Sequence, residues 1–590
     1  MPDSDATTSV RGSAHAVPGP DHAAPRHNGA MPDQDLSATA KQPAAASEAE
    51  AAPVATGDAP STPSPATTSD VVLPNPATPG SEIELKLLVD PDQLADFNDA
   101  AVITAHARNK GTRKHLKSVY YDTPERTLWR NGLSLRVRQS GARFVQTVKA
   151  QRSNDPLRRG EWEASVPSLA PDLALATPLI PEELRGELQA AALETVFIAQ
   201  VHRHTRLIEL PSGTVEIAFD HGALTASERS APVSEIELEL KSGSPAAIYE
   251  IALRLSEHGR LRPSIRSKSA RGYDLAADRP PGAEKPRKLH LDPAVSLDET
   301  FASILRGCFH HLLQAMPSAE DGRNPEGVHQ LRVSLRRLRA ALHLMQPVGT
   351  NGKLTSLLTD ARWLAQSLSA ARDWDVFLTA TLPAIAEGCP TIAGFDTLRE
   401  LAEKQRNLGY RKLRHALADR RCATFILGLG EWIETRGWRA DVTPETLGQL
   451  AEPAIGFAGH ILSERHQKVL KRGRHFKALP AEERHRVRLA LKKLRYSVDF
   501  LLPFYAERKS TKKYSEKLAD LQEELGHYND MAVTAGLLSG LDLTSTDGAI
   551  AAAAIAGWQA HAMLGVEAPL RQAWRNFAKS ATPWSDDTET

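Results

Sequence analysis

Six consecutive residues, Glu82-Ile83-Glu84-Leu85-Lys86-Leu87, alternate charged and apolar side chains without a break. In an extended strand, residues two apart share a face, so Glu82, Glu84 and Lys86 point one way and the three aliphatic chains the other. The pattern recurs downstream. Leu133-Ser134-Leu135-Arg136-Val137-Arg138 places two guanidiniums on one face, and Phe144-Val145-Gln146-Thr147-Val148-Lys149 ends on an ammonium. Glu161-Trp162-Glu163, the run Thr214 to Asp220 with Glu216, and Glu235-Ile236-Glu237-Leu238-Glu239-Leu240-Lys241 are acidic on one side. An ordinary solvated sheet face mixes Thr, Ser, Gln and Lys with scattered charge, whereas here whole strands carry one sign.

Carboxylates stacked at that spacing repel one another unless a cation sits between them. A charged face turned inward inside a closed antiparallel barrel accounts for both signs: acidic strands hold a divalent metal, and basic strands face an anion that the metal bridges. Oxygen ligands without a His/Cys cluster favour Mg²⁺ or Mn²⁺ over zinc. Arg and Lys on such a face suit phosphate oxygens, Arg through its fork and Lys as a point charge.

The motifs Glu82-x-Glu84-x-Lys86, Tyr121-Asp122-Thr123, Leu135-Arg136-x-Arg138, Thr147-x-Lys149, Arg159-x-Glu161-x-Glu163, Glu216-x-x-x-Asp220, Glu235-x-Glu237-x-Glu239 and Ser267-Lys268 occur in this order. In that set the region from about 81 to 275 resembles the CYTH, or triphosphate tunnel metalloenzyme, superfamily. A single ExExK string is common, but the ordered set is specific. The resemblance implies an eight-stranded tunnel barrel that binds triphosphate through basic residues and uses a divalent cation for hydrolysis. Carried onto this chain, it implies Glu82, Glu84, Glu237 and Glu239 at the metal. It also implies Lys86, Arg136, Arg138, Lys149 and Lys268 on phosphate, with Glu82, Glu84 and Lys86 at the reaction centre. Arg203 or Arg206 completes the basic set, and the sequence leaves open which of them faces inward.

From 293 onward the chain is helical by periodicity and repeats itself. His329-x-x-Arg332-x-x-x-Arg336-Arg337-Leu338-Arg339 is matched by His485-x-x-Arg488-x-x-x-Lys492-Lys493-Leu494-Arg495. Leu364-x-x-x-Leu368-Ser369-x-x-Arg372-Asp373 is matched, at nearly the same offset, by Leu521-x-x-x-Leu525-Gly526-x-x-Asn529-Asp530. A duplicated helical unit follows. At 3.6 residues per turn the basic positions of each first motif fall within about a quarter-turn. His329, Arg332, Arg336 and Arg339 therefore form one stripe, and His485, Arg488, Lys492 and Arg495 another. Leu331, Leu335 and Leu338, with Val487, Leu491 and Leu494, lie on adjoining faces and should pack into the bundle. This half, about 293 to 580, resembles the CHAD domain, a helical domain of two four-helix repeats found beside CYTH domains and implicated in polyphosphate binding. Ser369 departs from the pattern where the second copy has Gly526. No nucleophile, metal cluster or Gly-rich phosphate loop is visible here, so the half reads as a binding module.

The elements that must position these residues follow from composition. Residues 1 to about 80 have no aromatic residue and, among Lys and Arg, only Arg11, Arg26 and Lys41. Such a segment buries too little apolar surface to offset its ordering entropy and reads as disordered. Its opening, Met1-Pro2-Asp3-Ser4-Asp5, is unlike a secretory signal. Pro280, Pro281, Gly282 and Pro286 mark 276–292 as a linker. The 72 basic and 72 acidic residues balance overall, which conceals the local segregation. Cys308, Cys389 and Cys422 are too scattered for a disulfide framework and fit a cytoplasmic setting. No apolar run of membrane-spanning length stands out, and Ala549 to Trp558 reads as a short buried helix.

The expectation is an α+β chain: a disordered tail, an eight-stranded antiparallel tunnel barrel, then an all-α bundle of two repeats. Its expected activity is metal-dependent hydrolysis of inorganic triphosphate or short-chain polyphosphate, with polyphosphate bound by the helical half, in the cytoplasm or beside polyphosphate granules. The alternatives are nucleotide or thiamine triphosphate chemistry on the same barrel, or a binding protein without turnover. Membrane is not an expected partner, and nucleic acid is disfavoured because base-stacking aromatics are not interleaved with the basic stripes.

Overall fold

The computed structural model describes residues 82–150, 158–177, 180–190, 192–349, 351–440 and 442–585. The tail read as disordered, 1–80, lies outside them. Nine strands form among these residues: β1 (Glu82–Val89), β2 (Thr112–Asp122), β3 (Leu133–Ser140), β4 (Arg143–Ala150), β5 (Arg158–Val166), β6 (Glu194–Leu210), β7 (Gly213–Ala226), β8 (Arg229–Gly243) and β9 (Leu261–Ser264). All pair antiparallel, in the order β5-β4-β3-β2-β6-β7-β8-β1. The start of β1 then returns to β5 through Glu82↔Arg159 and Ile83↔Arg158, closing the ring of eight. The rest of that edge of β1 takes β9, from Lys86↔Ser264 to Val89↔Leu261. The expected eight-stranded barrel therefore carries one short extra strand, because β5 covers only the first residues of β1 and leaves the remaining backbone groups to be paired.

The strict alternation decides which way each strand faces. Leu85, Leu87, Ile217, Phe219, Ile236 and Leu238 are all buried, and they belong to the same cluster as Ile248, Ile251 and Leu255 of helix Ala246–Leu255. Each fully buried aliphatic chain contributes about 1.5–3 kcal/mol relative to exposure, so the apolar rows must lie under the helices. The charged rows are left for the interior of the ring. A one-residue slip would reverse every side chain, and the register holds them in step.

The second half is helical. Helix Leu297–Asp321 starts where the Ser296 hydroxyl accepts from Glu299 N–H and ends at Gly322, whose φ of 78° lies in the left-handed region. Helix Pro325–Leu344 follows at once, with Asn324 accepting from Glu326 N–H and Pro325 in the first turn. Leu331, Leu335, Leu338, Val487, Leu491 and Leu494 are fully buried, as the periodicity requires. The two repeats meet through helices Pro325–Leu344 and Ala481–Leu501. There the Arg336 guanidinium lies 5.8 Å from the Tyr496 ring centre, and that of Arg337 5.0 Å from the Phe500 ring.

Barrel and bundle share one hydrophobic core. The cluster that holds Ile248 and Ile251 runs on through Leu305, Phe309, Ile426 and Leu429. Helix Arg420–Glu434 approaches the barrel's helix closely at Gly430, where an added Cβ would come within 2.2 Å of the Tyr249 ring. An ion pair between Arg262 of β9 and Glu320 crosses the same junction.

One expectation needs correcting. The Ala-rich segment after 549 is not a short buried helix but part of helix Thr546–Ala578, which is long and apolar enough to cross a membrane by length and composition alone. Ala551, Ile555, Leu570 and Phe577 are buried near its two ends, whereas Trp558 and Leu564 between them are exposed. Small alanines allow the helix to bury a face at each end without a continuous large apolar stripe.

Candidate active site in the barrel

The interior of the barrel divides into two charged regions. On one side, Ser118 and Tyr120 of β2 stand opposite Arg138 and Arg136 of β3, and Arg136 stands opposite Thr147 of β4. Lys149 follows Thr147 at the same parity, opposite Ser134 and Glu161. Arg138 Nε donates to Ser118 Oγ at 3.2 Å. Burial pushes the Arg138 guanidinium down to about 10, and the neighbouring Arg136 and Arg203 add to the shift. Burial alone would raise the Tyr120 phenol, yet Arg136, Arg138 and Lys149 around it bring it below its ordinary value. The two shifts share one cause: several cations converge on a space of low dielectric.

On the other side, cations and carboxylates interlock. Lys86 of β1 donates to Glu84 and, at 2.7 Å, to Glu237 of β8. Arg203 of β6 holds both oxygens of Asp220, at 2.7 and 2.6 Å, and also donates to Glu237. Lys268, the first residue of helix Lys268–Ala277, donates to Asp220 at 2.6 Å, to Glu237 at 2.9 Å and to Glu235. Arg271, one turn on, reaches the second oxygen of Glu235 at 2.6 Å. Burial by itself would raise Glu237, but Lys268, Lys86 and Arg203 hold its carboxyl well below the usual range. The same carboxylates hold Arg203 well above its ordinary value against the desolvation that opposes them.

Carboxylate exposure falls along β8 from 26% at the Glu239 side chain, through 13% at Glu237, to nothing at Glu235. Glu239 sits at the more open end, paired with Lys241, which also lies 3.7 Å from Glu216. Glu84 and Glu239 are opposite each other in register.

The structure thus brings Glu84, Lys86, Glu237, Arg203 and Lys268 into one network, with Arg136, Arg138 and Lys149 on the facing strands. The open alternative between Arg203 and Arg206 resolves geometrically to Arg203. Three residues along a strand changes parity, so Arg206 points to the outer side and donates to the carbonyl of Asn98 at 3.1 Å. Strand β1 carries Glu82 at the position opposite Arg159, but its side chain, like those of Arg159 and Glu161, lies outside the described residues.

Asp220 and Glu235 were not among the ligands expected from sequence. Together with Glu237 they form a group of carboxylates in which one oxygen from each lies within 4.8 Å of the others. The signal was present: Glu235 belongs to the same period-two row as Glu237, and Asp220 shares parity with Glu216. Arg271 left no such signal, since a helix beginning at Lys268 delivers it.

In the helical half, the equivalent residues Arg332 and Arg488 are buried, at 8% and 3% exposure, so the stripes are not uniformly solvated. Arg332 donates to Ser369 Oγ at 2.9 Å, which joins the two motifs of the first repeat. Gly526 could not accept such a bond, so the departure from the pattern has a local use. Burial raises the Asp373 carboxyl while Arg332 and Arg372 oppose it. His329, Arg336, Arg339, Lys492 and Arg495 are half-buried and His485 is exposed. Arg495 donates to Asp499 at 3.2 Å, and Arg337 lies 3.9 Å from the other oxygen of that residue. The side chains of Asn529 and Asp530 lie outside the described residues.

The two arginines of β6 should differ sharply when replaced. Removing Arg203 leaves Asp220 and Glu237 buried with less compensation, so Arg203→Met should cost about 3–5 kcal/mol in a denaturation experiment. Arg206→Ala removes a single part-buried hydrogen bond and should cost about 1 kcal/mol. Equal losses would contradict the inward placement of Arg203.

The family model for the CYTH domain matches residues 80–273, and that for the CHAD domain matches residues 303–539. The inorganic triphosphatase of Haemophilus influenzae is 30% identical over 202 residues. That match covers 33% of this chain and 55% of the relative, so the chain spans little more than half of its length. An uncharacterized protein of Mycobacterium tuberculosis strain H37Rv is 24% identical over 494 residues, 79% of this chain and 89% of its own. The crystal structure of the CHAD domain from the plant Ricinus communis covers 50% of this chain and 96% of its own, at 32% identity and a TM-score of 0.43. The chain is a CYTH domain followed by a CHAD domain.

Proposed function

We propose that the CYTH barrel hydrolyses inorganic triphosphate or short-chain polyphosphate with the help of a divalent cation, and that the CHAD domain binds polyphosphate. The observation that carries this reading is the convergence of Arg136, Arg138 and Lys149 on Tyr120, facing the carboxylate network across the barrel. Cations gathered on one face attract a polyanion. The likeness of the first half to an inorganic triphosphatase supports the same chemistry.

The donor set suits a hard cation. Glu84 and Glu237, with Glu82 and Glu239 on the same strand faces, would hold Mg²⁺ or Mn²⁺, and Asp220 and Glu235 add oxygens nearby. When bound, such an ion neutralises phosphate oxygens and polarises the phosphoryl group. The chain's own residues do the rest. Arg136, Arg138 and Lys149 bind and orient the phosphates and spread the charge that develops. Lys86, Arg203 and Lys268 keep the carboxylates compensated, so that an anion can enter a site containing them. Water attacks the terminal phosphorus and loses a proton, the bridging P–O bond breaks, and orthophosphate and pyrophosphate leave. A cytoplasmic setting, beside polyphosphate granules, belongs to the proposal; three free cysteines, two of them buried, are compatible with its reducing environment.

Turnover should be scored on the full chain with inorganic triphosphate, ATP and thiamine triphosphate, each with Mg²⁺ or Mn²⁺. Inorganic triphosphate should be hydrolysed fastest. Glu84→Ala and the Arg136→Ala, Arg138→Ala pair should each lower kcat/KM by on the order of 100-fold, the scale of losing electrostatic stabilisation in an excluded site. Nucleotide or thiamine triphosphate preference would move the substrate, and binding without turnover by any of them would make the protein a binding module.

For the CHAD domain, polyphosphate affinity of the full chain should fall steeply with salt, because the polyanion releases counterions on binding. Replacing Arg336, Arg339, Lys492 and Arg495 together by Gln spares the buried Arg332 and Arg488. It should flatten the logarithmic salt slope by about 3, at roughly 0.7 to 0.9 for each phosphate that is no longer neutralised. Triphosphate hydrolysis should stay unchanged. An unaltered slope would reduce the stripes to solvated helix faces.

A further inference from the structure

The motif Tyr121-Asp122-Thr123 has no part in the chemistry above, yet it contains a fully buried carboxylate. Asp122 ends β2 and accepts four hydrogen bonds. Three come from the backbone N–H groups of Thr123, Leu128 and Trp129 at 2.8, 2.9 and 3.0 Å. The fourth comes from the hydroxyl of Tyr273 at 2.8 Å. Tyr273 lies on helix Lys268–Ala277, whose first residue places its ammonium among Asp220, Glu235 and Glu237.

Aromatic packing fastens the helix along the same seam, while Arg271 on Glu235, Arg266 on Asp274 and Arg229 on the Leu275 and Ala276 carbonyls hold it elsewhere. The Tyr273 ring stacks on Trp129 with centroids 4.3 Å apart and meets Phe197 edge-on at 5.7 Å. Gly272 packs so closely on Phe197 that a Cβ would come within 2.1 Å of that ring. Phe197 in turn stacks on Tyr120 at 4.2 Å, whose phenol faces Arg136 and Arg138. Lys268 itself has a long flexible stem, and freezing it costs rotamer entropy. Its place among three carboxylates depends on where its helix begins.

We propose that Asp122 and Tyr273 are positioning residues for Lys268: their hydrogen bond fixes the helix against β2 and so sets the ammonium in the carboxylate group. The side-chain bonds of Asp122 and Tyr273 run to each other and to the backbone of Thr123, Leu128 and Trp129, outside the network of Glu84, Lys86, Glu237, Arg203 and Lys268. The proposal rests on the triphosphatase reading for its kinetic consequence and on the geometry alone for its structural one. Tyr273→Phe removes the hydroxyl and keeps both ring contacts, and Asp122→Asn keeps the side chain's shape while removing its charge and turning one of its two acceptor oxygens into a donor.

The test uses the full chain in four forms: wild type, Tyr273→Phe, Lys268→Gln and the double variant, each assayed for triphosphate hydrolysis and thermal stability. A residue acting through Lys268 should matter only when Lys268 is present. Tyr273→Phe should lower kcat/KM about 5- to 10-fold in the parent and less than about 2-fold in the Lys268→Gln background. Its effect on Tm should be the same in both. Equal kinetic losses in the two backgrounds, or no loss in either, would overturn the proposal. Should wild type hydrolyse nothing, the triphosphatase reading fails by itself, and amide hydrogen exchange over residues 268–277 then decides. Tyr273→Phe should speed that exchange by about 5- to 10-fold relative to wild type, and unchanged protection would overturn the proposal. If Tyr273→Phe does not fold, Asp122→Asn is read in the same two ways.

Discussion

A carboxylate inside a protein costs several kcal/mol of desolvation unless cations and hydrogen bonds replace the water, and the barrel of this protein is organised around that constraint at Glu237. Three cations on three different elements, Lys86 of β1, Arg203 of β6 and the helix residue Lys268, bind this one side chain. Arg203 and Lys268 are shared with Asp220, and Lys268 again with Glu235. Residues so far apart in sequence meet because β6, β7, β8 and β1 are neighbours in the sheet, with Lys86 opposite Glu237 and Arg203 opposite Asp220. On the proposed function, the same compensation would make the interior receptive, since partners that neutralise each other could exchange for a metal ion and a polyanion.

The same handling of buried charge appears in the CHAD domain. Arg332 and Arg488 occupy equivalent positions in the two repeats, and both are buried. Arg332 is held by the hydroxyl of Ser369 and lies beside Asp373, so its charge is built into the bundle beneath the more exposed Arg336 and Arg339. Because barrel and bundle share a core through Ile251 and Ile426, with Gly430 pressed onto Tyr249, the two charged sites are carried by one packed unit.

Much of this was legible in the sequence because it is written in parity. Alternation at Glu82 to Leu87 and at Glu235 to Lys241 assigned an inner face, and the duplicated His-x-x-Arg motif assigned a second repeat, before any pairing was known. What parity cannot supply is phase over a long strand. Arg203 and Arg206 are both basic and differ in parity, and only the pairing of Arg203 with Asp220 decides between them. Strand β9 was missed because four residues carry too little pattern, and its cause is the part of β1 that β5 leaves uncovered. The seam of Asp122, Trp129, Phe197 and Tyr273 was hidden for another reason: it joins a strand end to a helix about 150 residues away, a contact of tertiary packing alone. The exposed middle of helix Thr546–Ala578 likewise shows that an Ala-rich segment reveals its helicity and not its burial.

The central claim is that cation and triphosphate each relieve the other's cost of entering the barrel. Binding of triphosphate to the Glu84→Ala chain and to wild type, measured by titration calorimetry at increasing Ca²⁺ as a hard divalent cation in place of the activating metal, tests it most directly. The account predicts that the cation tightens triphosphate binding to wild type, that triphosphate tightens cation binding by the same factor, and that both effects largely disappear in the variant. Triphosphate affinity independent of the cation in wild type would contradict it.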